Sequence, residues 1–141
     1  MVILMTTFSL GITMRASAIC FSLLVIASSL AGCTHEPKIH DVRYEVISNC
    51  DTVDVTYDNG YGGTGQSTVS TGEKDQNDDW IPWTYSFSTE FDGFTFMYIS
   101  GQSNCGGDGA AVIVSIYVDD TLTVFGNCDG GYCIATASDM R

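Results

Sequence analysis

From Val42 onward the apolar residues of this chain recur at every second position. Val42, Tyr44 and Val46 alternate with Arg43 and Glu45. Val53, Val55 and Tyr57 alternate with Asp54 and Thr56, and Ile81, Trp83, Tyr85 and Phe87 with Pro82, Thr84, Ser86 and Ser88. Successive side chains of a strand point to opposite faces, so this period in β-branched and aromatic residues predicts half-buried strands. Two later runs, Phe94 to Ile99 and Ala110 to Val118, are more fully apolar and predict strands covered on both faces. Asp119-Asp120 reads as a tight turn leading into Thr121 to Phe125, and Tyr132 to Ala137 reads as the last strand. Asp58-Asn59-Gly60 predicts a type I′ turn, the paired glycines predict further turns, and Glu73 to Asp79 predicts a solvated polar loop. No segment after Cys33 carries a helical period. About eight short strands in roughly a hundred residues predict an all-β fold, a β-sandwich.

The cysteines and the charge narrow the class further. Cys50, Cys105, Cys128 and Cys133 are an even set within this region, and two disulfides are expected. If successive strands run up and down, Cys50, Cys105 and Cys128 fall at one pole, with Cys133 just inside the last strand. Three pairings are open. Cys128 and Cys133 flank Asp-Gly-Gly-Tyr and could close a hairpin, which would leave Cys50 with Cys105. A metal site is disfavoured, because no CxxC pair is present and the only histidines, His35 and His40, precede the first strand expected at Val42. After Cys33 stand four Lys and Arg against seventeen Asp and Glu, a net charge of −13. That balance excludes nucleic acid as a partner and argues against electrostatic adhesion to anionic lipid.

The N-terminal third has a different character. Arg15 precedes an apolar run from Ile19 to Leu30, which ends in Leu30-Ala31-Gly32-Cys33. A basic start, about a dozen apolar residues and small residues at the cut read as a secretory signal. The cysteine after the small pair makes it resemble a bacterial lipoprotein lipobox. That resemblance implies cleavage before Cys33 and a lipid on its sulfur. Residues 1–32 are then the signal, and a start at Met14 would give it a more ordinary shape. Residues 33–41 are the lipidated cysteine and a tether containing Pro37, and residues 42–141 are the domain. The expected location is the bacterial cell envelope. Thr34, rather than Asp, follows the cysteine, which by analogy with lipoprotein sorting implies the outer membrane where there are two.

Several segments in order resemble MmpS-like domains, the small mycobacterial membrane protein family. They begin with Tyr44-Glu45-Val46, Val53 to Asn59 and Gly62-Gly63-Thr64-Gly65-Gln66. Ile81-Pro82-Trp83-Thr84 is similar to the family's "LPW" strand, and Tyr98 to Gln102 to its "YLSAQN" segment. Ser115 to Asp119 is similar to its "IYVDG" hairpin, and Gly131 to Ser138 to its "GAYAIATAS" ending. The resemblance implies an immunoglobulin-like β-sandwich of seven to eight strands without enzymatic activity or cofactor. It also implies accessory work beside an exporter of the resistance-nodulation-division (RND) class. The chain departs from the family in having a lipobox in place of a transmembrane helix, and four cysteines where the family has small or polar residues.

Candidate chemistry is sparse. A Ser-His-Asp or Cys-His site needs a histidine beside the nucleophile, and neither histidine lies within the expected domain. The pairs Asp78-Asp79 and Asp119-Asp120 suit turns better than acid–base catalysis. Asp58-Asn59-Gly60 and Asp75 to Asp79 supply hard oxygen ligands, but no EF-hand spacing. The alternative to an envelope interaction module is therefore a small-ligand or calcium-binding β-sandwich lipoprotein. Trp80, outside the alternation, is the candidate exposed aromatic for binding. Trp83 is expected near the centre of the core, opposite the face of Val112, Val114, Ile116 and Val118.

Overall fold

The computed structural model describes residues 37–91 and 94–141. Residues 37–141 group as one unit, and within it eight antiparallel strands form two four-stranded sheets. The strands are β1 (Ile39–Ser48), β2 (Thr52–Asp58), β3 (Thr64–Ser70), β4 (Trp83–Glu90), β5 (Phe96–Ser103), β6 (Ala111–Val118), β7 (Thr121–Asp129) and β8 (Ile134–Met140). One sheet runs β4-β1-β6-β7 and the other β3-β2-β5-β8, so the all-β sandwich expected from the period is present. The alternation is literal in β1, where Val42, Tyr44 and Val46 are buried and the residues between them are half-exposed or exposed.

The core lies between the sheets. Tyr44 is fully buried at its centre, with its ring 5.6 Å from Phe87 and 6.3 Å from Tyr57. Opposite lie Val53 and Val55 of β2, Met97 and Ile99 of β5, and Ala135 and Ala137 of β8. Gly101 brings the sheets close together: a Cβ there would meet Val53, Val112 and Val114 at 3.1–3.2 Å. At one side of the sandwich β7 and β8, which belong to different sheets, approach backbone to backbone. A Cβ on Gly126 would stand 2.7 Å from the Thr136 carbonyl carbon.

Four expectations need correction. The faces of β4 and β6 do not meet across the core, because both strands pair with β1 and belong to one sheet. Val46 has Trp83 on one side and Val114 on the other, so these side chains form a row on one face. Trp83 is half-buried at the margin of the core, and Ile81, in the same alternation, is exposed outside the strand. Trp83→Ala is therefore expected to cost about 2 kcal/mol in a denaturant melt, below the ~3–5 of a fully buried tryptophan. A loss above ~4 kcal/mol would contradict the half-buried placement.

The second correction concerns β5, which starts at Phe96 and alternates. Phe94 lies before the strand and Phe96 faces solvent, so this run is not covered on both faces. Third, Asp58-Asn59-Gly60 opens a five-residue loop rather than a two-residue turn. Asn59 Oδ1 accepts from the Tyr61 and Gly63 amides, and Gly60 and Gly62 take positive φ. Fourth, β1 begins at Ile39, so Ile39, His40 and Asp41 are strand rather than tether. The strand β3 carries no apolar period and is a further strand that the alternation does not predict. The Asp119-Asp120 hairpin is as expected: Val118 pairs with Thr121, and φ is 50° and 59° at the two aspartates.

Candidate interaction surfaces

Strand direction sorts the loops into two poles. The β1–β2, β3–β4, β5–β6 and β7–β8 connections lie at one pole. The start of β1, the β2–β3 and β4–β5 connections, the β6–β7 turn and the end of β8 lie at the other.

The four cysteines gather at the first pole. Cys50 pairs with Cys105, Cα to Cα 5.7 Å, and Cys128 with Cys133 at 5.9 Å. Backbone bonds hold the surrounding loops together. The Tyr132 amide donates to Cys105 O at 3.2 Å, and the Ser103 amide to Cys133 O at 3.0 Å. Asn49 bridges to the next loop, its Nδ2 donating to Gly109 O and its Oδ1 accepting from the Ala111 amide. This pole is thus a rigid, covalently closed end.

Beside it lies the loop of residues 71–82. Asp75 Oδ1 accepts from the Asn77 and Asp79 amides at 2.8 and 3.0 Å, so the acidic run folds around its own carboxylate. Trp80 is not a fully exposed aromatic. It is half-buried, forms an isolated antiparallel β-bridge with Lys74, and carries the Lys74 ammonium 4.5 Å from its ring centroid. That contact is a cation–π pair within the loop. Among the described residues no group of three or more His, Cys, Asp or Glu is placed to hold a metal ion.

Three carboxyls are held below the usual carboxylate range. The Asp79 amide, then the Asn77 amide, lowers Asp75. The Thr68 hydroxyl, then the Asn104 side chain, lowers Asp54, and the His40 ring, then the Asp41 amide, lowers Asp119. A depressed carboxyl contributes stability that is fully present above its unfolded pKa. That stability is lost as pH falls through the folded pKa. The advantage of wild type over Asp75→Asn is therefore expected at pH 6 and should shrink progressively as pH falls below the ordinary aspartate value of about 3.9. Acidification also relieves the repulsion of a strongly acidic chain, so the difference between the two proteins carries the signal, not either melting curve alone. A difference that stays constant from pH 7 to pH 2 would contradict the assignment.

An aromatic row fills the side of the sandwich where β4 lies over β2. The Tyr57 ring stands 4.5 Å from Tyr85 and 5.5 Å from Trp83, and Tyr85 Oη donates to Asn59 O at 3.2 Å. Burial pushes the Tyr44 hydroxyl pKa up, and the Tyr98 backbone partly offsets it. That hydroxyl makes no well-formed hydrogen bond to a protein group. The row reads as the open margin of the core.

The second pole was not legible as a surface in the sequence. Here His40 Nδ1 lies 2.8 Å from Asp119 Oδ2, and its ring stacks on Phe91 at 4.3 Å between centroids. The Asp41 amide donates to Asp119 Oδ1, and the Asp119 amide to Asp41 O, which docks the β6–β7 turn onto β1. Lys38, His40, Asp119, Leu122, Thr123 and Arg141 line a shallow recess. Exposed apolar side chains flank it: Ile39 and Leu122 with the β4-β1-β6-β7 sheet, Phe94, Phe96 and Met140 with the other. Cys33 lies outside the described residues.

No model of a known protein family matches the chain. No curated protein matches it either.

Proposed function

We propose that the chain is a lipid-anchored cell-envelope module without enzymatic activity, built on an immunoglobulin-like sandwich of the MmpS-like kind. The observation that carries the reading is the order of its parts. A lipobox-like Leu30-Ala31-Gly32-Cys33 stands six residues before a two-sheet domain closed by two disulfides, the chemistry of an exported protein. The lipid on Cys33 holds the domain at a membrane, and the domain acts by binding another envelope protein, an RND-type exporter component in the MmpS-like case. The resembling segments fall on β1, the β2–β3 hairpin, the start of β4, β5, the β6–β7 hairpin and β8, so they span both sheets.

Cys33→Ser tests the anchor. Wild type grown with a palmitate analogue is expected to carry the label and fractionate with membranes, and the variant is expected to lose both, because serine lacks the thiol that takes the lipid. An unlabelled wild-type protein overturns the reading. Crosslinking in membranes followed by mass spectrometry identifies the partner, and recovery of an exporter component is the expected result.

A further inference from the structure

We infer that the second pole is a membrane-contact face, on which the domain stands against the headgroups of a bilayer. The inference rests on the proposed lipid at Cys33 and adds an orientation and a set of contact residues to it.

Three observations bear on this pole. The first is apolar exposure. Phe94 is 86% exposed and Met140 67%, and Phe96 pairs with Met140 in the β5–β8 register. The Thr95 and Arg141 amides and carbonyls exchange hydrogen bonds, so this ladder continues to the end of the chain and holds the apolar strip in place. Apolar groups gathered at one end of a small domain mark a contact with lipid or protein.

The second observation is charge. The segments 49–51, 71–82, 104–110 and 129–133 at the disulfide pole carry seven Asp or Glu against one lysine, Lys74. At the opposite pole the recess is lined by Lys38, His40 and Arg141, with Asp119 held by His40 and Asp139 by Arg141 Nε at 2.9 Å. Asp41, Asp58, Glu90 and Asp120, whose side chain is 96% exposed, also stand at this pole, so an anionic surface attracts neither pole; the cations of the recess are local partners for single lipid phosphates, and the apolar rim and the tether set the orientation.

The third observation is reach. Five residues lie between Cys33 and Ile39, so the two are at most about 21 Å apart along the chain. The ten residues of β1 run about 33 Å from one pole to the other. The tether is thus too short for the domain to turn its disulfide pole toward the bilayer. The pole where β1 starts stays near the membrane, and that is the pole with the apolar rim and the recess of Lys38, His40, Asp119 and Arg141. The lipid surface is therefore the occupant: Phe94, Phe96 and Met140 on one side and Leu122 and Ile39 on the other enter the headgroup region, and Lys38 and Arg141 meet phosphates.

The test uses the chain from Cys33 onward, in which the other four cysteines are bonded and Cys33 is the one free thiol. Cys33 is coupled to a maleimide lipid in vesicles of three parts phosphatidylcholine to one part phosphatidylglycerol, with brominated acyl chains as quenchers. Phe94→Trp is expected to add emission that the bromines quench, from a depth of about 5–10 Å at the headgroup boundary. Wild type, whose Trp80 and Trp83 lie toward the disulfide pole, and a Phe125→Trp control on the outer face of β7 are expected to stay unquenched. Unquenched Phe94→Trp, or equal quenching of the Phe125→Trp control, overturns the inference and leaves the anchor reading standing. Absence of lipid on Cys33 in cells overturns the anchor reading and the inference together.

Discussion

Gly126→Ala is expected to prevent the domain from folding, or to destabilise it by more than about 4 kcal/mol. Gly126 sits in β7 opposite Val114, on the side of the strand that faces the core. A methyl group there would lie on the Thr136 carbonyl, 2.7 Å from its carbon and 3.1 Å from its amide nitrogen. Both obstacles are backbone, so no rotamer change relieves them. Thr136 of β8 pairs with Ser100 of β5 and Gly126 of β7 pairs with Val114 of β6, so neither edge strand can retreat without breaking the one ladder that holds it. Gly109→Ala is the control. Its Cβ would meet nothing within 4 Å, and a change within about 0.5 kcal/mol is expected. Circular dichroism and urea melts of the two variants compare them directly, and a well-folded Gly126→Ala protein would mean that β7 and β8 do not approach as described.

What the sequence revealed of this fold was what its period carries. Seven strands, the Asp119-Asp120 hairpin and the gathering of cysteines at one pole follow from alternation and turn chemistry, which are local. β3 was illegible because its sequence, Thr-Gly-Gln-Ser-Thr-Val-Ser, offers one buried apolar side chain, Val69. Its strand has a physical reason that lies elsewhere in the chain. Gly65 pairs with Tyr57, and a Cβ at Gly65 would stand 2.5 Å from that ring, so the aromatic of β2 covers the bare backbone of the edge strand.

The misplacement of Trp83 has a different cause. Period two says which residues share a face of their own strand, but not which strands share a sheet, and β1 lies between β4 and β6. The surface at the second pole was hidden for the same reason. His40 looks like a tether residue until Asp119, 79 positions away, closes on it. Phe94 and Phe96 look like core until β5 is seen to begin with its apolar residues facing out.

Removing the Cys50–Cys105 bridge is expected to cost about twice as much as removing Cys128–Cys133. A cross-link stabilises chiefly by restricting the unfolded chain, and the restriction grows with the loop it closes. The first bridge closes a loop of sequence separation 55 and the second one of 5. On the chain-entropy scale these correspond to about 4 and about 2 kcal/mol. The larger figure approaches the whole stability of a small domain, so Cys50→Ala with Cys105→Ala should leave it near its unfolding midpoint at 37 °C. The two losses should not simply add. The turn closed by Cys128–Cys133 rests on the loop anchored by Cys105: the Tyr132 amide donates to Cys105 O, and Gly131 packs against the backbone of Gly106 and Gly107. Freeing that loop weakens the seat of the second turn, so the quadruple variant should depart from the sum by more than about 0.5 kcal/mol. Urea melts of the two double variants and the quadruple variant measure this directly. Equal costs for the two bridges would show that something other than loop closure sets their contribution.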